Sequence, residues 1–266
     1  MKRNFKLLML AILATVILTA CGNKSTVDNS LNDVKEKKEL VIGLDDNFPP
    51  MGFRDETGEI VGFDIDMAKE VGKRMGVNVT FKPVEWDGII LSLNNKDIDA
   101  IWNGLTITEK RKEQIAFSEV YLQNKQIIIV KDKSTITKKS DLDQKIVGLQ
   151  MGSSSETALA SDSELTDSLK EVKKYSNNTE ALLDLNADRI DAVVVDEVVG
   201  RYYVSKKPGD YKVLSEDLGL EDYGVGMRKT DITLTQEINK QLEEMLSDGT
   251  SNDISQKWFG TDIISK

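Results

Sequence analysis

The chain of 266 residues has no histidine and one cysteine, Cys21. The first absence removes the side chain that most often serves as a general base near neutral pH. The second leaves no partner for a disulfide, no cysteine cluster for a metal and no spare thiol nucleophile. Basic residues are in deficit, 35 against 45 acidic, for a formal charge of −10. Such a surface argues against nucleic acid and against charge-driven adsorption to a bilayer. After Cys21 no apolar run approaches the roughly 20 residues that a spanning helix needs. No serine lies in a nucleophile elbow. The sequence therefore calls for no cofactor and no metal, and it offers few ingredients of an enzyme.

What is present starts with residues 1–20. Lys2, Arg3 and Lys6 make a basic start, and Leu7 to Leu18 is apolar apart from Thr15. The run is short for a membrane span and ends in small residues, as a secretion signal does. Leu18-Thr19-Ala20-Cys21 resembles a bacterial lipobox. That resemblance implies cleavage before Cys21 and lipidation of its thiol, which would hold the protein on the extracellular face of the cell membrane in the manner of Gram-positive lipoproteins. Loss of the three basic residues leaves 32 basic against 45 acidic groups, a formal −13. Residues 21–36 are polar and read as a flexible tether. The remaining chain, about 230 residues, suits one large or two small domains.

Strands and helices alternate through that remainder. Glu39 to Asp45 reads as a buried strand, and Asp64 to Met75 as an amphipathic helix with acids first and Lys73-Arg74 last. Val77 to Phe81, a short helix over Trp86 to Asn95, and Ile98 to Trp102 complete a first βαβ series. A second series follows: strands at Ile127 to Val130, Lys145 to Leu149, Glu171 to Tyr175 and Ile190 to Val195, with helices at Ser153 to Ala160 and Thr179 to Asn186. Late in the chain come a strand at Tyr223 to Met227 and helices at Ile232 to Leu246 and Asp253 to Phe259, the last with Trp258 expected as a core plug. One echo links the two halves. Leu91-Ser92-Leu93-Asn94, three residues, Ile98-Asp99-Ala100 repeats as Leu183-Asp184-Leu185-Asn186, three residues, Ile190-Asp191-Ala192. Two α/β lobes, each a mainly parallel sheet flanked by helices, would place a cleft at the carboxyl ends of their strands. The expected division is 37–124 with 222–266 in lobe 1, which is discontinuous, and 125–221 in lobe 2.

Several strand ends carry polar groups suited to a small zwitterion. Asp45 and Phe48 leave the first strand in a loop stiffened by Pro49 and Pro50; an ordinary strand exit is the bland reading. Trp86 opens a short helix, either lining a pocket or filling the core. Trp102, Asn103, Gly104 and Thr106 lead from the third strand to Arg111, which is either a fork for a carboxylate or a surface arginine paired with Glu109 or Glu113. Gly152, Ser153 and Ser154 open a helix whose amides favour an anion, with a capping box from Ser153 to Glu156 as the structural alternative. Asp196 ends a buried strand, facing an ammonium or capping the next helix.

The order of these segments resembles the polar amino-acid-binding proteins that feed ABC importers. The landmarks are Val61-Gly62-Phe63-Asp64-Ile65-Asp66, Ile107-Thr108-Glu109-Lys110-Arg111, Asp196-Glu197 and Asp248-Gly249-Thr250, between about Glu39 and Phe259. The resemblance implies a periplasmic-binding-protein type II-like fold. It implies that Arg111 and the turn at Ser153 and Ser154 grip the α-carboxylate, that Asp196 meets the α-ammonium, and that Asp45, Phe48 and Trp86 shape the pocket. Met151 is an added residue against the commoner Gln-Gly form, which shifts that register by one. The implied partners are an amino acid (a polar one or cystine) and an ABC permease with its ATPase, and the protein is expected to be a monomer. Rival readings are a pocket-carboxylate enzyme of the cyclohexadienyl dehydratase kind and a ligand-sensing receptor module.

Overall fold

The computed structural model describes residues 28–265; the segment 1–20 read as a secretion signal, and Cys21, lie outside the described residues. Helix α1 (Ser30–Lys37) leads into β1 (Glu39–Leu44). A small antiparallel sheet of β2 (Asn47–Phe48), β3 (Gly52–Arg54) and β4 (Ile60–Val61) follows, then α2 (Phe63–Met75) and β5 (Asn78–Pro83). A tight turn at Trp86–Gly88 runs into α3 (Ile89–Asn94), β6 (Ala100–Ile101), α4 (Glu109–Lys112), β7 (Ala116–Phe117) and the long strand β8 (Leu122–Lys131). Next come β9 (Ile146–Gln150), α5 (Ser154–Ser161), α6 (Ser163–Ser168), β10 (Glu171–Tyr175), α7 (Asn178–Asn186), β11 (Ala192–Asp196) and α8 (Glu197–Lys206). The chain ends through β12 (Tyr211–Tyr223), β13 (Gly226–Met227), α9 (Ile232–Ser247) and α10 (Thr250–Phe259). None of the described helices is long and apolar enough to cross a membrane.

Two five-stranded sheets result, in the orders β5-β1-β6-β13-β7 and β10-β9-β11-β8-β12. Both are mixed. In the first, β1 runs parallel to β5 and β6, while β13 is antiparallel to β6 and β7. In the second, β9 runs parallel to β10 and β11, while β8 is antiparallel to β11 and β12. The parallel part of each sheet is its βαβ core, as helical crossovers require. The antiparallel pairs are made by β13 in the first sheet and by β8 in the second, and this makes the sheets less parallel than the sequence suggests.

The internal echo is a structural repeat. In both copies the first leucine is exposed (Leu91 65%, Leu183 56%) and the second is buried (Leu93, Leu185). Lys96 and Asp188, at matching positions, both turn the chain through positive φ. Asp99 Oδ2 then accepts from Val41 N–H at 3.1 Å, and Asp191 Oδ2 from Ile146 N–H at 2.8 Å. Ile98 and Ile190 lie flat on Gly43 and Gly148, leaving no room for a Cβ at either glycine. The same helix–turn–strand device thus seats a strand in each sheet beside β1 or β9, and it aims all four strand ends at the cleft.

Two expectations are corrected. The tether does not extend through residue 36, because Ser30–Lys37 is helical. Val34, 2% exposed, packs into the core that includes Leu234 and Ile238. Asp28 anchors this helix, accepting from Ser30 N–H at 2.9 Å and from Thr233 N–H at 2.5 Å. Its burial works against ionisation, but the hydrogen bonds from Thr233 and Ser30 outweigh it and lower the carboxyl to about 2. A single buried valine in a polar run gave too little periodicity to reveal the helix. Trp258 is a partly buried rim residue and not a core plug. Its Nε1 donates to Asp66 Oδ2 at 2.7 Å, and its ring meets Phe53 edge-on.

Candidate functional site

Parallel strands β1, β6 and β9, together with β11, end at one cleft, and hydrogen bonds cross it. Gln150 Nε2 donates to Asp45 Oδ2 at 2.7 Å, Thr106 Oγ1 to Ser154 Oγ at 3.0 Å, and Arg111 Nη2 to the Gly152 carbonyl at 3.3 Å. Each pair joins a residue at or following a strand end of one sheet to a residue at or following a strand end of the other. The cleft is closed, and Asp45, Asn103, Thr106, Arg111, Ser153, Ser154 and Asp196 are all buried.

Arg111 is not a surface arginine. Thr108 caps α4 by accepting from Arg111 N–H, and this turns the side chain inward. Glu109 pairs with Lys112 instead. Arg111 Nη1 donates to the Thr106 carbonyl at 2.8 Å, and the guanidinium lies 5.7 Å from the centre of the Trp86 ring. Burial lowers its pKa, while Glu221 and Asp196 act to raise it. A buried guanidinium bonded only to two carbonyls keeps donor capacity for an anion.

Phe48 and Trp86 face one another with planes 3° apart and centroids 6.5 Å apart. Next to them a cavity of about 210 Å³ is lined by Asp45, Asp46, Glu85, Trp86, Ser176 and Asn177 among others, with three acidic residues and no basic one. Burial raises the Asp45 carboxyl, and hydrogen bonds from Asn47 and Gln150 hold it back. Asn103 Oδ1 accepts from Asp45 N–H at 3.0 Å, tying the two strand ends together. Trp102 is wholly enclosed beside Tyr121, part of the core under the site.

The serine turn departs from a capping box. Glu156 accepts from Gly152 N–H, and Ser153 Oγ donates back to the Gln150 carbonyl at 2.7 Å. Gly152 adopts φ +73 against the backbone of Asp87. Helix α5 therefore starts at Ser154, and its first amides have no intrahelical acceptor. Ser154 Oγ also accepts from Gln126 Nε2 at 3.1 Å, and Ser155 Oγ donates to Gln126 Oε1 at 2.6 Å.

Asp196 does not use its side chain to cap α8. Its Oδ1 accepts from Tyr223 OH at 2.6 Å and from Asn124 Nδ2 at 2.9 Å. Burial and the nearby Glu221 raise this carboxyl well above the usual range. Gly104, at φ +57, packs so closely on Phe48 and Tyr223 that a Cβ would lie 2.8 Å from the Phe48 ring. Asn124, Gln126, Glu221 and Tyr223 were not foreseen as site residues. One signal was available: Asn124 and Gln126 keep the inward phase of Leu122 and Ile128 along β8, so polar groups stand where the strand alternation demands burial.

A two-lobed α/β molecule with a polar cleft closed between its sheets is the architecture of solute-binding proteins. The chain belongs to the bacterial extracellular solute-binding proteins, family 3, which it matches over residues 40–261. It is 33% identical to the L-cystine-binding protein TcyJ of Escherichia coli over 258 residues, 96% of each chain. It is 30% identical to the arginine-binding extracellular protein ArtP of Bacillus subtilis over 260 residues, 97% of this chain and 98% of that one. Among solved structures, an ABC uptake transporter substrate-binding protein from Streptococcus pneumoniae with bound histidine superposes with a TM-score of 0.87 at 38% identity. The match covers 91% of this chain and all of the other. These relatives are binding proteins for polar amino acids, and the chain is an amino-acid-binding protein of ABC import.

Proposed function

We propose that the protein captures a polar L-amino acid outside the cell, held to the membrane by a lipid on Cys21, and hands it to an ABC permease without turning it over. The carrying observation is the pairing of opposite charges across one cleft: Arg111 and the first amides of α5 at one end, Asp196 at the other. An α-carboxylate on Arg111 and an α-ammonium on Asp196 satisfy both. Thr106 and Ser154, from opposite sheets, bond to one another and so favour the closed form around the ligand. The moving bodies are 37–124 with 222–266 and 125–221, and the protein works as a monomer.

The side-chain end favours nitrogen. Parallel rings of Phe48 and Trp86 beside Asp45, Asp46 and Glu85 suit a planar or cationic group, such as guanidinium, imidazole or amide. The names of the arginine- and histidine-binding relatives fit that range. A thermal-shift screen of the common L-amino acids and cystine tests the reading. A rise in melting temperature is expected with arginine, histidine, glutamine or cystine, with the ligand recovered unchanged. No shift with any amino acid, or conversion of a bound acid, would overturn it.

A further inference from the structure

Phe53 and Tyr202 meet ring to ring, with centroids 5.8 Å apart and planes inclined by 56°. Phe53 is on β3, the middle strand of the small sheet, between Asn47 of β2 and Val61 of β4. That sheet packs on α2, while its strand β2 lies against α7. Tyr202 is on α8, which packs on β8, β11 and β12 of the second sheet. The contact therefore crosses from one body of the chain to the other. Among the described residues it is the one pair of aromatic rings that does so; the other pairs lie within 37–124 with 222–266 or within 125–221.

Each ring is braced from its own side. Trp258 of α10 meets Phe53 edge-on with centroids 5.9 Å apart, and its Nε1 is held by Asp66. Tyr203 stands at 88° to Tyr202 with centroids 5.6 Å apart, and its hydroxyl shares a hydrogen bond with Thr179 Oγ1 at 2.8 Å. Lys206, one turn further along α8, places Nζ 5.6 Å from the centre of the Tyr202 ring. Neither Phe53 nor Tyr202 lines the cavity beside Phe48 and Trp86, and neither bonds to Arg111 or Asp196. Both are half-buried, so their shared face is apolar surface that separation of the lobes would return to water. The bonds that cross the cleft from Gln150, Thr106 and Arg111 are polar, and water replaces much of their value when the cleft opens. Water offers no such replacement for the ring pair.

We propose that Phe53 and Tyr202 are positioning residues for ligand capture, a latch outside the ligand site that favours the closed lobes whatever amino acid lies between them. This rests on the two-body closure and the amino-acid reading above. A ligand bridging Arg111 and Asp196 is fully held only in the closed form, so the apparent dissociation constant falls as the closed fraction rises. An aromatic pair contributes enough to change a two-state ratio by about two- to tenfold. Because neither ring touches the ligand, the gain is the same for every ligand. The latch sets affinity, and the residues lining the cavity set the choice among amino acids.

The test is a double-mutant cycle of Phe53→Ala, Tyr202→Ala and the two together. It is read by titration calorimetry with L-arginine, L-glutamine, L-histidine and L-cystine, and by the melting temperature of the ligand-free protein. Each single variant is expected to bind more weakly by about two- to tenfold, with unchanged ratios between the probes that bind. The double variant should lose less than the product of the two single losses, since one contact cannot be broken twice. Tyr202→Phe keeps the ring and should bind like the parent. Phe53→Leu takes the place of Phe53→Ala if the alanine variant does not fold. Unchanged affinity, losses that multiply, or coupling seen in melting temperature alone would make the contact independent of closure and overturn the proposal. A loss that differs from probe to probe, or one as large in Tyr202→Phe as in Tyr202→Ala, also overturns it. Where a single probe binds, the cycle alone decides. Absence of binding heat with all four probes in the parent overturns the amino-acid reading, and the latch with it.

Discussion

The N–H of Gly104 donates to Oδ2 of Asp64 at 2.7 Å, inside the core and beneath the ligand cleft. Tyr121 OH donates to the same oxygen at 3.1 Å. The turn that presents Thr106 and Arg111 is thus moored to the first turn of α2 by a carboxyl group that water does not reach.

That mooring has a pH signature. Burial raises the Asp64 carboxyl from 3.8 to about 7, against the pull of the Gly104 and Tyr121 hydrogen bonds. The folded protein holds this proton more tightly than the unfolded chain. Its contribution is therefore complete in acid and is lost as pH rises from about 4 to about 7, by at most roughly 4 kcal/mol. Melting temperature is expected to fall more steeply between about pH 5 and about pH 8 in the parent than in Asp64→Asn. Parallel profiles would show that Asp64 does not titrate in this range.

Arg111→Ala should remove ligand binding and leave the fold intact. The side chain bonds two carbonyls that exposure on opening would hydrate, while a ligand carboxylate loses its only fork. A loss of roughly hundredfold or more in affinity is expected from a charged bidentate contact. Calorimetry, with circular dichroism to confirm folding, measures both; undiminished affinity would exclude Arg111 from the site.

Ser154→Ala should loosen closure. Its hydroxyl receives Thr106 from across the cleft and Gln126 from β8. Deleting it leaves two buried donors short of an acceptor, a cost of about 1–3 kcal/mol. Small-angle scattering of the ligand-free variant is expected to show a larger radius of gyration than the parent, with affinity reduced about tenfold or more. An unchanged radius together with unchanged affinity would mean that this contact does not govern closure.

Asp28→Ala should free α1 from α9. The carboxylate bonds Thr233 N–H near the start of α9 and Ser30 N–H at the start of α1. A lost cap of this kind costs about 1 kcal/mol, and proteolysis near residues 28–38 should accelerate. Equal cleavage rates in parent and variant would count against that anchoring.

The parallel core of both sheets was legible because Val, Ile and Leu runs alternate with helical spacing, and because the Leu-x-Leu-Asn echo carries its own burial pattern. Arg111 was legible only through the family pattern around it; by composition it is one more helix arginine. β12 was hidden for a physical reason. Its sequence is rich in acids, its ladder to β8 is interrupted by two register shifts, and Leu220 is 84% exposed, so no period of two survives. Glu221 was lost with it, and Tyr223, read as the start of a later strand, closes β12 instead, since a residue's neighbours across a ladder depend on a register that the linear chain does not display.

The pairing of β8 with β12 has a mechanical consequence. From Leu122–Tyr223 at one end to Lys131–Tyr211 at the other, both passages of the chain between sheets are bonded into one two-stranded ribbon. Thr106 and Ile264 pin the Tyr223–Leu122 end to the first sheet. The ladder sets Asn124 opposite Glu221 and Leu122 opposite Tyr223. The lobe movement proposed above would therefore carry these side chains as one unit, as a leaf spring holds what is fixed to it, with the geometry of the grip stored in the spring and not in the jaws.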